Sequence, residues 1–124
     1  MARILVVDDD ADVRKVITHG LSPTHQVVTA RNGAEAIATI KGGDRFDVIL
    51  SDVMMPELDG EGLYLELLEF SPEQARRIAF MSGGGGPAEM LRLASDRPFL
   101  KKPFEMSRLR ALVADVLERC GPTR

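Results

Sequence analysis

The chain has 124 residues, 44% hydrophobic and 28% charged, with a formal net charge of −3 and one cysteine. That length suits a single domain over residues 1–124 with its own core and no output domain, and the absence of a basic block argues against direct nucleic-acid binding. Cys120 alone excludes an internal disulfide and fits a reducing compartment; with no span-length apolar stretch, so no membrane insertion, and no secretion signal, a cytoplasmic protein or cytoplasmic piece of a larger one is expected.

Residues 3–7 form a continuous apolar run after Arg3, as in a strand buried on both faces. Residues 11–21 place Val13, Val16, Ile17 and Leu21 at helical spacing, with Asp10 as N-cap and Asp12 in the first turn. Residues 26–30 read as a short strand. Asn32-Gly33 is a turn, and residues 34–40 are a helix ended by Gly42-Gly43. Residues 46–51 are the third strand, 56–60 a loop, and Leu63, Leu67 and Leu68 stripe a third helix. Pro72 begins a connection to a strand over 78–81. A glycine run, Gly83 to Gly86, and Pro87 then precede a short helix around 88–94, because four glycines start a helix poorly. A brief strand over 98–100 leads to a last helix striped by Leu109, Leu112, Val113, Val116 and Leu117.

Five βα units in succession imply an α/β fold. The expected architecture is a doubly wound, five-stranded parallel sheet of order 2-1-3-4-5, with five helices on its two faces and the fourth short or mobile. In that order the switch point lies between strands one and three. Their ends carry Asp8, Asp9 and Asp52, while Ser82 and Lys102 end the fourth and fifth strands. Clustered carboxylates at one edge repel one another unless a cation lies among them. The all-oxygen donor set suits a hard divalent ion, Mg²⁺ first and Mn²⁺ as a substitute. Asp52 stands alone at its strand end, so the cluster reads as the metal holder and Asp52 as the reacting carboxylate, able to attack phosphorus. Lys102 supplies a second positive charge for a phosphoryl group.

These segments resemble the receiver domains of two-component response regulators, a flavodoxin-like family. The matching pieces are Asp8-Asp9-Asp10 after the first strand, Asp52 with Met54-Met55-Pro56 and Asp59-Gly60, Phe80-Met81-Ser82, and Lys102-Pro103-Phe104. Each is weak alone; four in order at strand ends are specific, and they cover essentially the whole chain. The resemblance implies that Asp52 accepts a phosphoryl group from a phosphohistidine on a sensor histidine kinase or histidine phosphotransfer protein. It implies that Asp9 binds Mg²⁺ directly, Asp8 largely through water, and that Asp52 and the backbone carbonyl of Met54 complete the protein ligands. Ser82 and Phe99 would be the switch residues, Lys102 would pair with the phosphoryl or with Asp52, and Lys102-Pro103 would be a cis bond.

Phe99 stands where the family often has Tyr, and it cannot donate a hydrogen bond. Met54 and Gly84 stand where polar family residues orient an attacking water, so slow self-dephosphorylation is expected. The glycine loop with Lys-Pro-Phe resembles receivers at the C-terminus of hybrid histidine kinases. The resemblance leaves a homodimer open, since final-helix and fourth-helix faces often mediate dimerisation in this family. Two other functions are weighed. A haloacid-dehalogenase-type phosphatase using Asp8 and Asp10 leaves Asp52 unexplained and lacks a cap. A pseudo-receiver, a docking module without phosphorylation, leaves the intact acidic pocket unexplained. On the receiver resemblance the domain is expected to catalyse only its own phosphorylation and dephosphorylation and not to act as a multiple-turnover enzyme.

Overall fold

The computed structural model describes residues 2–55, 57–83 and 97–121. Five strands, β1 (Arg3–Val7), β2 (Gln26–Ala30), β3 (Val48–Asp52), β4 (Ile78–Ser82) and β5 (Phe99–Lys101), pair in parallel in the order β2-β1-β3-β4-β5. The helices are α1 (Ala11–Leu21), α2 (Gly33–Lys41), α3 (Gly60–Phe70), α4 (Pro72–Ala75) and α5 (Met106–Cys120). This is the flavodoxin-like order expected from the alternation of elements. The expected helix around 88–94 and the glycines Gly84 to Gly86 lie outside the described residues.

Side-chain alternation along the strands sorts the core into two layers. Leu5 and Val7, Ile49, and Ile78 and Phe80 face the layer that holds Ile37, Ile40, Leu63 and Leu67 of α2 and α3. Ile4 and Val6, Val48 and Leu50, and Ala79 and Met81 face the layer that holds Ile17, Leu21, Leu109, Val113 and Val116 of α1 and α5. Both faces of the three central strands are therefore dry, which is why they read as unbroken apolar runs. Among the described residues no helix is long and apolar enough to cross a membrane.

Several boundaries differ from the sequence expectation, each for a local reason. The third strand begins at Val48, not at residue 46. The backbone of Phe46 is occupied by one buried side chain: its N–H donates to Gln74 Oε1 at 2.9 Å, and its carbonyl accepts from Gln74 Nε2 at 3.0 Å. Residues 72–75 are a turn of helix, α4, where only a connection was expected. Pro72 suits a first helical turn, where its missing N–H has no intrahelical partner to lose. The fifth strand runs one residue later than expected, to Lys101. Val16 and Leu68 fit helical stripes by spacing, yet they are 60% and 43% exposed.

The first turn of α3 packs against the end of β3. Gly60 N–H donates to the Val53 carbonyl at 3.0 Å, and the Asp59 side chain caps the helix through Gly62 N–H at 2.8 Å. A Cβ on Gly60 would lie 2.5 Å from the Asp52 carbonyl oxygen and 3.0 Å from Val53 Cα, both backbone atoms that cannot swing aside. Gly60→Ala is expected to destabilise the protein by about 1–3 kcal/mol through this overpacking. Urea unfolding checks it, and an unchanged midpoint would contradict the contact.

Candidate functional site: the acidic edge of the sheet

The carboxyl ends of β1 and β3 are adjacent in register, with Val7 beside Ser51, so the residues that follow converge. Asp8, Asp9 and Asp52 each present a carboxylate oxygen within 4.8 Å of the others. Asp8 is fully buried, Asp52 is 7% exposed, and Asp9 faces solvent. Asp8 is held from four sides. Its N–H donates to the Ala30 carbonyl at 3.2 Å, and its own carbonyl accepts from Arg14 Nη1 at 2.7 Å. Oδ1 accepts from Asp10 N–H at 2.9 Å, and Oδ2 accepts from Lys102 Nζ at 2.7 Å.

Lys102 reaches this position because its own N–H donates to the Ser82 carbonyl at 2.7 Å, which ties the exit of β5 to the end of β4. The Lys102–Pro103 peptide is cis. Nζ lies 3.6 Å from Asp52 Oδ1, so the ammonium sits between two carboxylates but closer to Asp8. Ser82 is 1% exposed at the end of β4. Phe99 is half-buried on β5 opposite Phe80 and packs into the α2–α3 layer, where Phe80 meets Tyr64 edge-on at 6.1 Å. Met54 lies two residues beyond Asp52 with its side chain exposed.

Burial is the main cause that pushes the Asp52 carboxyl up to about 6. The charge of Asp8 adds to the rise, and Asp9 does so less; Lys102 and the Val53 N–H pull the other way. For Lys102, burial works against the ammonium, but the Asp8 hydrogen bond and the charges of Asp52 and Asp8 outweigh it, and its pKa is raised. Fully ionised, three carboxylates against one ammonium leave two negative charges in a half-dry crevice. An all-oxygen donor set with that deficit fits one hard divalent cation.

The structure thus brings together Asp8, Asp9, Asp52, Ser82 and Lys102 at one edge. Asp10 and Asp12 stay outside as helix-capping and first-turn residues: Asp10 Oδ1 accepts from Asp12 N–H at 2.9 Å and from Val13 N–H at 3.4 Å. Arg14 was not singled out from the sequence. Its role depends on where one helical turn aims a guanidinium, and no spacing rule marks that. A second feature absent from the sequence reading is an apolar cavity of about 380 Å³ beside Lys102, lined by Val13, Val16, Ile17, Pro103 and Phe104 among others.

A family model described as the response regulator receiver domain matches residues 4–114. The chain is 32% identical over 118 residues to a probable transcriptional regulator ycf27 of Porphyridium aerugineum, covering 94% of this chain and 48% of that protein. It is 34% identical over 122 residues to the sensor kinase CckA of Brucella abortus, covering 95% of this chain and 13% of that one. The chain therefore spans half or less of the curated relatives it matches. Among solved structures, the signal receiver domain of a signal transduction histidine kinase from Syntrophus aciditrophicus superposes with a TM-score of 0.85 at 27% identity, over 100% of this chain and 96% of that one.

The Asp52 value generates a stability prediction. Because it lies above the ordinary 3.8, the folded protein holds that proton more tightly than the unfolded chain does. Ionising Asp52 therefore removes stability as pH rises from about 4 to about 6. In metal-free buffer Asp52→Asn is expected to be more stable than the parent by about 1–3 kcal/mol above pH 7, with the gain vanishing below pH 4. Thermal melts across that range check it; a gain independent of pH would refute the assignment.

Proposed function

This chain belongs to the response regulator receiver domain family of two-component signalling, and we propose that it is a phosphoacceptor whose reacting group is Asp52. The observation that carries this reading is the pairing of a shielded, poorly solvated carboxylate at Asp52 with a lysine 3.6 Å away and two further carboxylates within metal-sharing distance. Asp52 is placed to attack a phosphohistidine phosphorus through a carboxylate oxygen. A P–O bond forms, the P–N bond breaks, and the departing imidazole takes up a proton. Bound Mg²⁺ would neutralise phosphoryl charge, held by Asp8, Asp9, Asp52 and the Met54 carbonyl. Lys102 stands where it can leave Asp8 for a phosphoryl oxygen, since a hydrogen bond between charged groups is available to it in either state.

The donor's approach is supported by the apolar cavity beside Lys102. A phosphohistidine must be delivered by another protein, and the exposed Val16 with Val13 and Phe104 gives that protein an apolar surface next to the acceptor. In this reading the donor is a histidine kinase or histidine phosphotransfer protein. Ser82 then hydrogen-bonds the phosphoryl group, and Phe99 repacks against Phe80, which changes the surface that a downstream partner reads. No geometric feature favours the phosphatase reading, in which Asp8 would be the nucleophile: its Oδ2 is occupied by Lys102 and its Oδ1 by Asp10 N–H.

Incubation with Mg²⁺ and acetyl phosphate, followed by intact mass, tests the acceptor. One added phosphoryl group is expected, absent without Mg²⁺ and absent in Asp52→Asn; an adduct that survives in Asp52→Asn would place the acceptor elsewhere. Chase into donor-free buffer tests the second expectation. The exposed thioether of Met54 cannot orient water as a polar residue could, so the phosphoryl group is expected to persist far beyond seconds. Met54→Asn is expected to shorten its lifetime roughly several-fold.

A further inference from the structure

The opposite edge of the sheet carries a cluster of charge of the other sign. β4 begins just after Arg76 and Arg77, β5 just after Arg97 and Pro98, and α5 ends at Cys120. These points enclose a cavity of about 170 Å³ lined by Arg76, Arg97, Pro98, Val116, Arg119 and Cys120. Arg76 Nη2 is 2.9 Å from Glu73, and Arg119 Nη2 is 3.0 Å from Asp115. Each guanidinium carries five N–H donors, so a single acidic contact leaves several unused. Arg97 differs from both. Its Nη1 donates to the Arg76 carbonyl at 3.0 Å, its guanidinium carbon lies 5.8 Å from the Tyr64 ring centroid, and its Nε is buried with no hydrogen-bond partner among the described residues. A buried, unsatisfied N–H on a cation is costly unless something occupies it.

Arg77 removes the main objection to an anion here. The end of α5 presents carbonyl groups whose partial negative charge would repel one. Arg77, 1% exposed and bridged to Glu73 at 2.7 Å, donates from Nη1 to the Gly121 carbonyl at 2.7 Å and from Nη2 to that of Cys120 at 3.3 Å. Three guanidinium groups line the cavity, and the carboxylates paired to them among the described residues are Glu73 and Asp115. The local balance among those groups is one positive charge, in a chain whose net charge is −3.

We infer that this cavity is a binding site for a small phosphate-class oxyanion, with Arg97 and Arg119 as its principal donors. Guanidinium forks match the oxygens of a tetrahedral oxyanion, and the local excess of positive charge favours one. A space of about 170 Å³ is enough for a phosphate group. A second cavity of about 370 Å³ shares Arg76 and Arg97 and adds Tyr64, Leu68 and Pro72. The anion can therefore be free phosphate or the phosphoryl end of a small monoester whose apolar remainder lies on those residues.

The test is a titration of the metal-free protein with inorganic phosphate, followed by amide chemical shifts at matched ionic strength. Saturable shifts at Arg76, Arg97 and 116–120 are expected, weakened roughly fivefold or more in Arg97→Gln and in Arg119→Gln and unchanged in Lys15→Gln of α1, which lines neither cavity. Phenyl phosphate in place of phosphate separates the two sources. Tighter binding with added shifts at Tyr64 and Leu68 marks a monoester, and equal binding marks the free anion. Unsaturable shifts spread over all basic surfaces, equal shifts with chloride, or full binding in both arginine variants would overturn the site.

Discussion

The contact between Lys102 Nζ and Asp8 Oδ2, at 2.7 Å across 94 residues of sequence, is the interaction around which the acidic edge is organised. Without it a fully buried carboxylate would sit beside two others with no cation in contact with its oxygens, and desolvation would favour protonation or unfolding. The pair also fixes distances: Asp8 anchors the loop that leads to α1, Lys102 follows the end of β5, and the ammonium lies between the carboxylates of Asp8 and Asp52. The ammonium therefore does in this structure part of what a divalent ion does by charge alone. Fully ionised, the three carboxylates still outnumber that ammonium by two negative charges.

That arrangement is only as precise as the platform beneath it. Alternate strand residues bury opposite layers, so a shift of one residue in β1 or β3 would move Asp8 or Asp52 to the wrong face as well as exposing the core. Gly60 and the Asp59 cap hold α3 tightly against the end of β3, and Gln74 closes the backbone groups of Phe46 at the other end. The site residues thus inherit their geometry from packing far larger in area than the site itself.

Asp8, Asp9 and Asp52 meet at the carboxyl edge of the sheet, and Arg76, Arg97 and Arg119 line a cavity at its amino edge. A fully buried arginine, Arg77, joins α4, the entry to β3 and the end of α5 through one carboxylate and three carbonyl groups. A buried guanidinium is tolerable only when its donors are met in this way. It frees the neighbouring arginines from capping the helix and leaves them facing the cavity.

The α/β class, the strand order and the convergence of Asp8, Asp9, Asp52, Ser82 and Lys102 were legible in the sequence. Apolar runs that each end in a polar residue follow directly from a parallel sheet buried on both faces, and right-handed crossovers leave few orders to choose from. Tertiary structure alone decided the rest. Helical spacing marked Val16 and Leu68 as core, but which residues of a stripe are covered depends on where the neighbouring helix lies. Nothing local told that Lys102 would favour Asp8 over Asp52, that Arg14 would hold the Asp8 carbonyl, that Gln74 would replace the ladder at Phe46, or that three arginines far apart in sequence would surround one cavity. Local propensity is written in neighbouring residues, whereas each of these contacts joins side chains that only the closed sheet brings within reach.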